Sequence, residues 1–345
     1  MPEPAITDRR FTVLMILVIG GVWVLGIVFY LILRPNAPHH PGTPAGPNSG
    51  PTDLITVYPT PDFTLPPIPP VTKEPVHGTW RFVATQANLY TGMTQSEAIS
   101  DVNRLAVDSD VIGMNEVSRE RAGQLRTWAA EHPGWSFYSP TGSDPYQGLN
   151  AVLVNTKVFT VVDEGVLYGS RSSMRGYKIS SRWVTWLLLR HKASKTNVSW
   201  VQTHMDAAVE SHGHPRAKAG QRIRNNLAYM QVLKATVAKL ATVGQVLVAG
   251  DWNVDAAADR QVEYGAFPYA VLEGDGSNSA LPGLRSIYTA LGIKGPPTRS
   301  GRWIDYIASW VRPAAENIMT FVDYRILTGG NSDHNPVEAV VQIKK

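Results

Sequence analysis

The feature that most narrows what this chain can fold into is a succession of short apolar runs, each delivering a polar residue at or beside its end. "TWRFVATQANL" carries Asn88, "DVIGMNEV" carries Glu116 and "VSWVQTH" ends on His204. "QVLVAGDWN" brings Asp251 and Asn253, "WIDYIAS" contains Asp305, and "NPVEAVVQI" follows directly on Asp333 and His334. Apolar runs of this length, bounded by turn-forming residues, read as buried strands. Segments of helical period lie between them. In "TQSEAISDVNRLA", Thr94 and Glu97 have the spacing of a capping box, and Ala98, Ile99, Val102 and Leu105 share one face. Further helices are expected over 118–131 and 216–240, and further strands in "NAVLVNTKVFTVV" and "RWVTWLLLRH". Strands and helices mix throughout residues 78–345 without an internal repeat, which points to a layered α/β domain.

What precedes that domain is different in kind. Residues 11–33, "FTVLMILVIGGVWVLGIVFYLIL", form an uncharged run of 23 residues. As a helix it would extend about 35 Å, enough for a hydrocarbon core of about 30 Å. A signal peptide has a shorter apolar region, typically about 7–15 residues, so the expectation is one uncleaved transmembrane helix after a short N-terminal tail, 1–10. Arg9 and Arg10 precede the run, Arg34 follows it, and the next basic residue is Lys73. That bias favours a cytoplasmic N-terminus and an extracytoplasmic body. Residues 34–77 hold thirteen prolines and few large apolar side chains, and are expected to be an extended or disordered linker that packs no core.

Composition excludes some chemistry. The chain has no cysteine, so disulfides, thiolate metal sites and cysteine nucleophiles are absent. Its 32 Lys+Arg against 28 Asp+Glu give a formal charge of +4, which permits an anionic partner without demanding one.

The polar residues at the strand ends suit phosphoester hydrolysis. A phosphodiester repels nucleophiles by its charge and needs a hard divalent cation, which oxygen ligands such as Glu116 and Asp333 can hold. Water attacking phosphorus must lose a proton, for which His334 and Asp251 are candidate acceptors. Charge on the phosphoryl oxygens calls for donors, and His204, Asn88 and Asn253 can supply them. A carboxylate such as Asp305 can orient an imidazole and favour its charged form. Taken singly, each residue has a plainer reading as a turn former or a satisfied core group. Their joint appearance carries the argument.

The sequence resembles the endonuclease/exonuclease/phosphatase family, the deoxyribonuclease-I-like hydrolases. The resemblance is carried, in order, by "QANL" at Asn88, "GMNEV" at Glu116, "QTHM" at His204, "VAGDWN" at Asp251 and Asn253, "WIDYI" at Asp305, and "NSDHNPV" at Asp333 and His334. It implies a four-layer α/β/β/α sandwich of two stacked mixed sheets, with a magnesium-dependent site along one edge; manganese and calcium suit the same ligands. It further implies Glu116 as principal metal ligand, with Asn88 and Asp333 in or near the metal shell. His334 with Asp305 would be the acid/base unit, Asp251 and Asn253 the water- and phosphate-positioning pair, and His204 the second histidine.

Family resemblance does not select a substrate. The "TH" at His204 is similar to the deoxyribonuclease, sphingomyelinase and phosphatase branches, whereas abasic-site nucleases usually carry an amide there. Inositol polyphosphate 5-phosphatases typically have a cysteine where this chain has "RWIDYIAS". Two basic segments suit nucleic acid. "RSSMRGYKISSR" offers Arg175, Lys178 and Arg182, and "HPRAKAGQRIR" leads into the long helix. The expectation is a membrane-anchored, metal-dependent phosphodiesterase, foremost an endonuclease on DNA or RNA, with no protein partner indicated. The alternatives are a phosphatase or sphingomyelinase-type lipid phosphodiesterase and, in another class, a non-catalytic binding module on the same fold.

Overall fold

The computed structural model describes residues 63–65, 77–172, 181–273, 283–311 and 318–345. Four strands open one sheet: β1 (Thr79–Asn88), β2 (Val111–Asn115), β3 (Trp135–Tyr138) and β4 (Ala151–Asn155). The chain then crosses to a second sheet with β5 (Phe159–Arg171), β6 (Ser181–His191) and β7 (Asn197–His204). A small hairpin, β8 (Glu210–Ser211) and β9 (His214–Pro215), stands outside both sheets. The second sheet is completed by β10 (Gln245–Asp251), β11 (Leu284–Ser286) and β12 (Asp305–Trp310). The chain returns to the first with β13 (Met319–Ile326) and β14 (Val337–Lys344). The strand orders are β13-β14-β1-β2-β4-β3 and β11-β12-β10-β7-β6-β5. Each sheet has one parallel pair at its heart, β1 with β2 and β7 with β10.

The helices cover the outer faces, giving the expected four layers. Helices α1 (Gln95–Leu105) and α2 (Arg119–Glu131) pack Val102, Leu105, Leu125 and Trp128 on Leu89, Ile112, Met114 and Leu153 of the first sheet. The capping box forms as its spacing predicts: the Glu97 amide donates to Thr94 Oγ1 and the Thr94 amide to Glu97 Oε2. Helix α3 (Gly220–Ala241) lays Tyr229, Met230, Leu233 and Val237 against the second sheet. It starts four residues later than expected. Arg216 instead closes the small hairpin, its amide donating to Val209 O and its Nε to Glu210 O. Two short helices, α4 (Ala256–Val262) and α5 (Ile287–Leu291), complete the set.

The strand periodicity of two sorts each strand between these faces. On β1, Phe82, Ala84, Gln86 and Asn88 look toward the other sheet; on β7, Val198, Trp200, Gln202 and His204 do the same. The inter-sheet layer is thus apolar at one end, amide-rich in the middle and ionisable at the rim. Gly113 on β2 faces Gln202 and Trp200 of the opposite sheet. A Cβ there would lie 1.9 Å from Gln202 Oε1 and 2.6 Å from Trp200 Cζ2.

Within the segment expected to pack no core, Phe63 and Leu65 are partly buried. The Phe63 ring lies 5.1 Å from Trp186, and Lys239 Nζ lies 4.2 Å above it. Large apolar side chains find a groove even in proline-rich sequence when one is offered. Residues 11–33 lie outside the described residues, and among those described no helix is long and apolar enough to cross a membrane.

Gly113→Ala is expected to destabilise the protein by about 1–3 kcal/mol, the usual result of overpacking a buried contact. Urea unfolding monitored by circular dichroism checks it, and an unchanged midpoint would show that the sheets have room.

Candidate active site

Strand register assembles the site. In the first sheet the parallel β1/β2 pairing sets Asn88 beside Asn115 at the carboxyl ends of both strands. In the second, Asp251 lies between His204 on parallel β7 and Asp305 on antiparallel β12. Parallel strands send their carboxyl ends to one edge, where ligands of α/β sheets gather. Glu116, Asn253 and His334 reach the same edge from the turns that follow β2, follow β10 and precede β14.

Two of these turns adopt left-handed backbone, with φ of 60° at Glu116 and 56° at Asn253. Such a conformation is costly outside glycine and needs support from its surroundings. The buried Arg121 supplies it around Glu116, donating to the backbone oxygens of Leu89 (2.5 Å), Met93 (3.0 Å) and Glu116 (3.3 Å). Asn253 donates its amide to Asp251 Oδ1 (2.8 Å) and its Nδ2 to Met205 O (3.0 Å).

Asp251 is the hub. Its Oδ2 lies 3.2 Å from Asn88 Nδ2, 3.6 Å from His204 Nε2 and 3.8 Å from His334 Nε2. Asn88 Nδ2 also reaches Glu116 Oε1 (3.2 Å), and Glu116 Oε2 accepts from the amide and hydroxyl of Thr91. His334 Nδ1 is 2.7 Å from Asp305 Oδ2.

Burial acts on every group here, and the neighbours decide the outcome. For His334 burial disfavours the charge, but Asp305 first and Asp251 next outweigh it and hold the pKa up at about 9. His204 is pushed well below the ordinary histidine value by burial and by the positive charges of Arg182, His334 and Arg299. Burial together with Asp305 raises Asp251 to about 7, against the pull of His334. Two imidazoles on one carboxylate are therefore held in opposite protonation states at neutral pH. Environments that drive paired pKa values apart are how proteins separate acid from base.

The residues also fit a hard cation. Asn88 Oδ1 is buried without a hydrogen-bond partner among the described residues, beside the Glu116 carboxylate, and oxygen donors of this kind suit magnesium or calcium. A second group, Asp251, Asp305 and His334, brings three potential ligand atoms within 4.8 Å of one another. The Asp305 contact and the raised pKa commit His334 to a proton, so the Glu116–Asn88 oxygens are the better donor set. Asp333 borders the second group. Its Oδ2 pairs with Arg299 Nη2 at 2.5 Å and its Oδ1 lies 3.9 Å from His334 Nε2.

The crowding of polar residues in "NSDHNP" now has an explanation. Asn331 and Ser332 bind the buried carboxylate of Asp101 on α1, Ser332 Oγ donates to Asn88 O (2.6 Å), and Asn335 donates to the backbone oxygens of Thr298 and Pro297. These residues fasten the loop that presents Asp333 and His334. Arg182 is buried at the His204 side, with Nε committed to Asp206 Oδ1 at 2.9 Å, so it enters the site through its field rather than as a free phosphate hook. Arg175 and Lys178 lie outside the described residues. Sequence reasoning passed over Arg299, Asp101, Asn115, Gln86 and Gln202. The last two had a legible signal: each lies two residues before a site residue, Asn88 or His204, and so on the same strand face.

No family model matches the chain, and no curated protein does. Solved structures do. An endonuclease/exonuclease/phosphatase family protein from Bacteroides thetaiotaomicron is similar over 78% of this chain and 97% of its own, at 15% identity and a TM-score of 0.56. A mannosyl-6-phosphatase from the same species matches over 75% of this chain and 99% of its own, at 16% identity and a TM-score of 0.53. TDP2 from D. rerio, complexed with a single-strand DNA product, matches over 76% and 98%, at 12% identity and a TM-score of 0.52. On this likeness the chain has the endonuclease/exonuclease/phosphatase fold.

Proposed function

We propose that this protein is a divalent-metal-dependent phosphoester hydrolase acting foremost on nucleic acid. The observation that carries the reading is the Asp251 carboxylate lying between two imidazoles of opposite charge state, next to the unpartnered oxygen of Asn88. Glu116 and Asn88 would hold the cation, which when bound offsets phosphate charge and lowers the pKa of water. His334, kept protonated by Asp305, donates from Nε2 to a phosphoryl or departing oxygen. Asp251, with its raised pKa, orients the attacking water and takes up its proton. Neutral His204 and the Asn253 side of the pocket complete the cradle for the phosphate. The similarity to a mannosyl-6-phosphatase and to TDP2 complexed with a single-strand DNA product supports the phosphoester class. A phosphatase or lipid phosphodiesterase is the competing substrate assignment.

The reading extends to location. Residues 11–33 would anchor the chain, with residues 78–345 as the catalytic domain outside the cytoplasm. Deleting 11–33 should move the protein from the membrane fraction to the soluble one; unchanged membrane association would reject the anchor.

The full chain with magnesium or manganese should cleave plasmid DNA or single-stranded oligonucleotides, and excess chelator should abolish cleavage. His334→Gln and Asp251→Asn should each lower kcat by about 10²–10⁴-fold, the range for a lost acid or base. Folded protein active on phosphatidyl or sphingomyelin vesicles but not on nucleic acid would transfer the assignment to lipids. No hydrolysis of any phosphoester with any divalent ion would remove it.

In chelated protein, the His334 ring resonance should titrate near pH 9 and at a lower pH in Asp305→Asn, where burial acts with less opposition. A folded pKa above the unfolded value of about 6.5 means a contribution to stability that is complete below 6.5 and lost as pH rises through 9. An imidazole already neutral at pH 7 would contradict the acid assigned to it.

A further inference from the structure

The strand row that holds His204, Asp251 and Asp305 extends past the chemistry. The β6/β7 ladder ends at Thr185 and Gln202, and two residues beyond it Trp183 faces His204 across a gap in the direct pairing. The two backbones are bridged there by the Tyr229 hydroxyl, which donates to Trp183 O (3.0 Å) and accepts from the His204 amide (3.3 Å). One strand further out, Tyr168 on β5 pairs with Trp183. A single cross-strand row thus runs Tyr168, Trp183, His204, Asp251, Asp305 along the rim.

Three contacts place Trp183 on the inner face with the site. Thr185, two residues on, donates to Asn150 O of the opposite sheet, and Trp183 Nε1 donates to Ser181 Oγ (3.1 Å), two residues back, and to Asp144 Oδ2 (3.2 Å). Ser181 Oγ in turn donates to Asp144 Oδ2. The indole is therefore held in one orientation. Tyr168 meets it edge to face, with centroids 5.4 Å apart and an interplanar angle of 84°. Tyr168 is one of the few large hydrophobic side chains left open, 47% exposed, and Trp183 is only partly buried.

A rigid aromatic pair, partly open to solvent and separated from the His204 backbone by the Tyr229 hydroxyl, suits a planar ring attached to the phosphoester. We propose that Trp183 and Tyr168 form a stacking platform for a nucleobase adjoining the phosphate at His204, so that the substrate is a single-stranded nucleic acid or a nucleotide. A nucleobase sits one sugar away from its phosphate, and stacking accepts any base because each presents a π face. Phosphocholine would meet the same rings through its quaternary ammonium, by cation–π attraction and not by stacking. Hydrolysis of phosphocholine esters but not of nucleotide substrates, lost in Trp183→Ala and Tyr168→Ala, would overturn the nucleobase assignment. The inference deepens the phosphoesterase reading and rests on it for the place of the phosphate.

Two arms test it on the full chain. With metal, kcat/KM is compared for a single-stranded oligonucleotide and for the same backbone carrying abasic sugars. The base-bearing substrate should be preferred, and Trp183→Ala and Tyr168→Ala should each reduce that preference by about tenfold, while Trp183→Phe largely retains it. In chelated protein, adenosine 5′-monophosphate should bind more tightly than ribose 5-phosphate, with the difference shrinking in the same two alanine variants. Circular dichroism confirms their folding, and the exposed Tyr168 serves if Trp183→Ala fails to fold. Equal cleavage of base-bearing and abasic strands would overturn the platform and leave the hydrolase standing. Retained discrimination for adenosine monophosphate in a protein that hydrolyses no phosphoester would do the reverse.

Discussion

The arrangement depends on one side chain between the sheets, the carboxamide of Asn115. Its Oδ1 accepts from Gln86 Nε2 (2.8 Å) and from the Asp251 amide (2.9 Å); its Nδ2 donates to Asn150 Oδ1 (2.8 Å) and to Thr203 O (2.9 Å). All four hydrogen-bonding positions of the amide are used. Two of the partners belong to its own sheet or the loop beside it, and two to the backbone of the opposite sheet next to His204 and Asp251. Gln86 extends the tie, accepting from Gln202 Nε2 at 2.7 Å. A buried polar layer of this kind is costly when incomplete and specific when complete. Apolar side chains alone would let two sheets slide by a residue; directional bonds set the sheets in one register.

That register has an electrostatic consequence. Once the Asp251 backbone is held by Asn115, its Oδ2 has Asn88 and both imidazoles as neighbours, whereas Asp305 faces one imidazole, that of His334. Burial disfavours charge on both rings, which keeps His204 neutral; His334 stays charged because Asp305 and Asp251 outweigh that burial. Arg182 reinforces the contrast from the His204 side, while Arg299 disfavours charge on both rings. Across the Tyr229 hydroxyl the row continues outward to Trp183 and Tyr168, so acid, base and aromatic wall share one rim.

Much of this was legible in the chain. Asn88, Glu116, His204, Asp251, Asn253, Asp305 and His334 all arrive at one rim, because parallel strands of alternating pattern must deliver their ends to the same edge. The capping box of α1 formed where its spacing placed it, since capping is local. Asp333 carries a pairing the sequence does not show: Arg299, 34 residues earlier, engages its Oδ2. Asp101 carries another. It lies on the buried face of an amphipathic helix, where pattern calls for an apolar residue, because it anchors the loop around Asn331 and Ser332.

By itself the sequence determined the elements, their alternation of faces and the residue types brought to the rim, for these depend on neighbours a few positions away. Only the tertiary structure decided which carboxylate holds which histidine, which arginines are already engaged and which aromatics adjoin the site. Those outcomes turn on pairings between residues such as Asp305 and His334, or Trp183 and His204, whose separation is set by sheet register and not by distance along the chain.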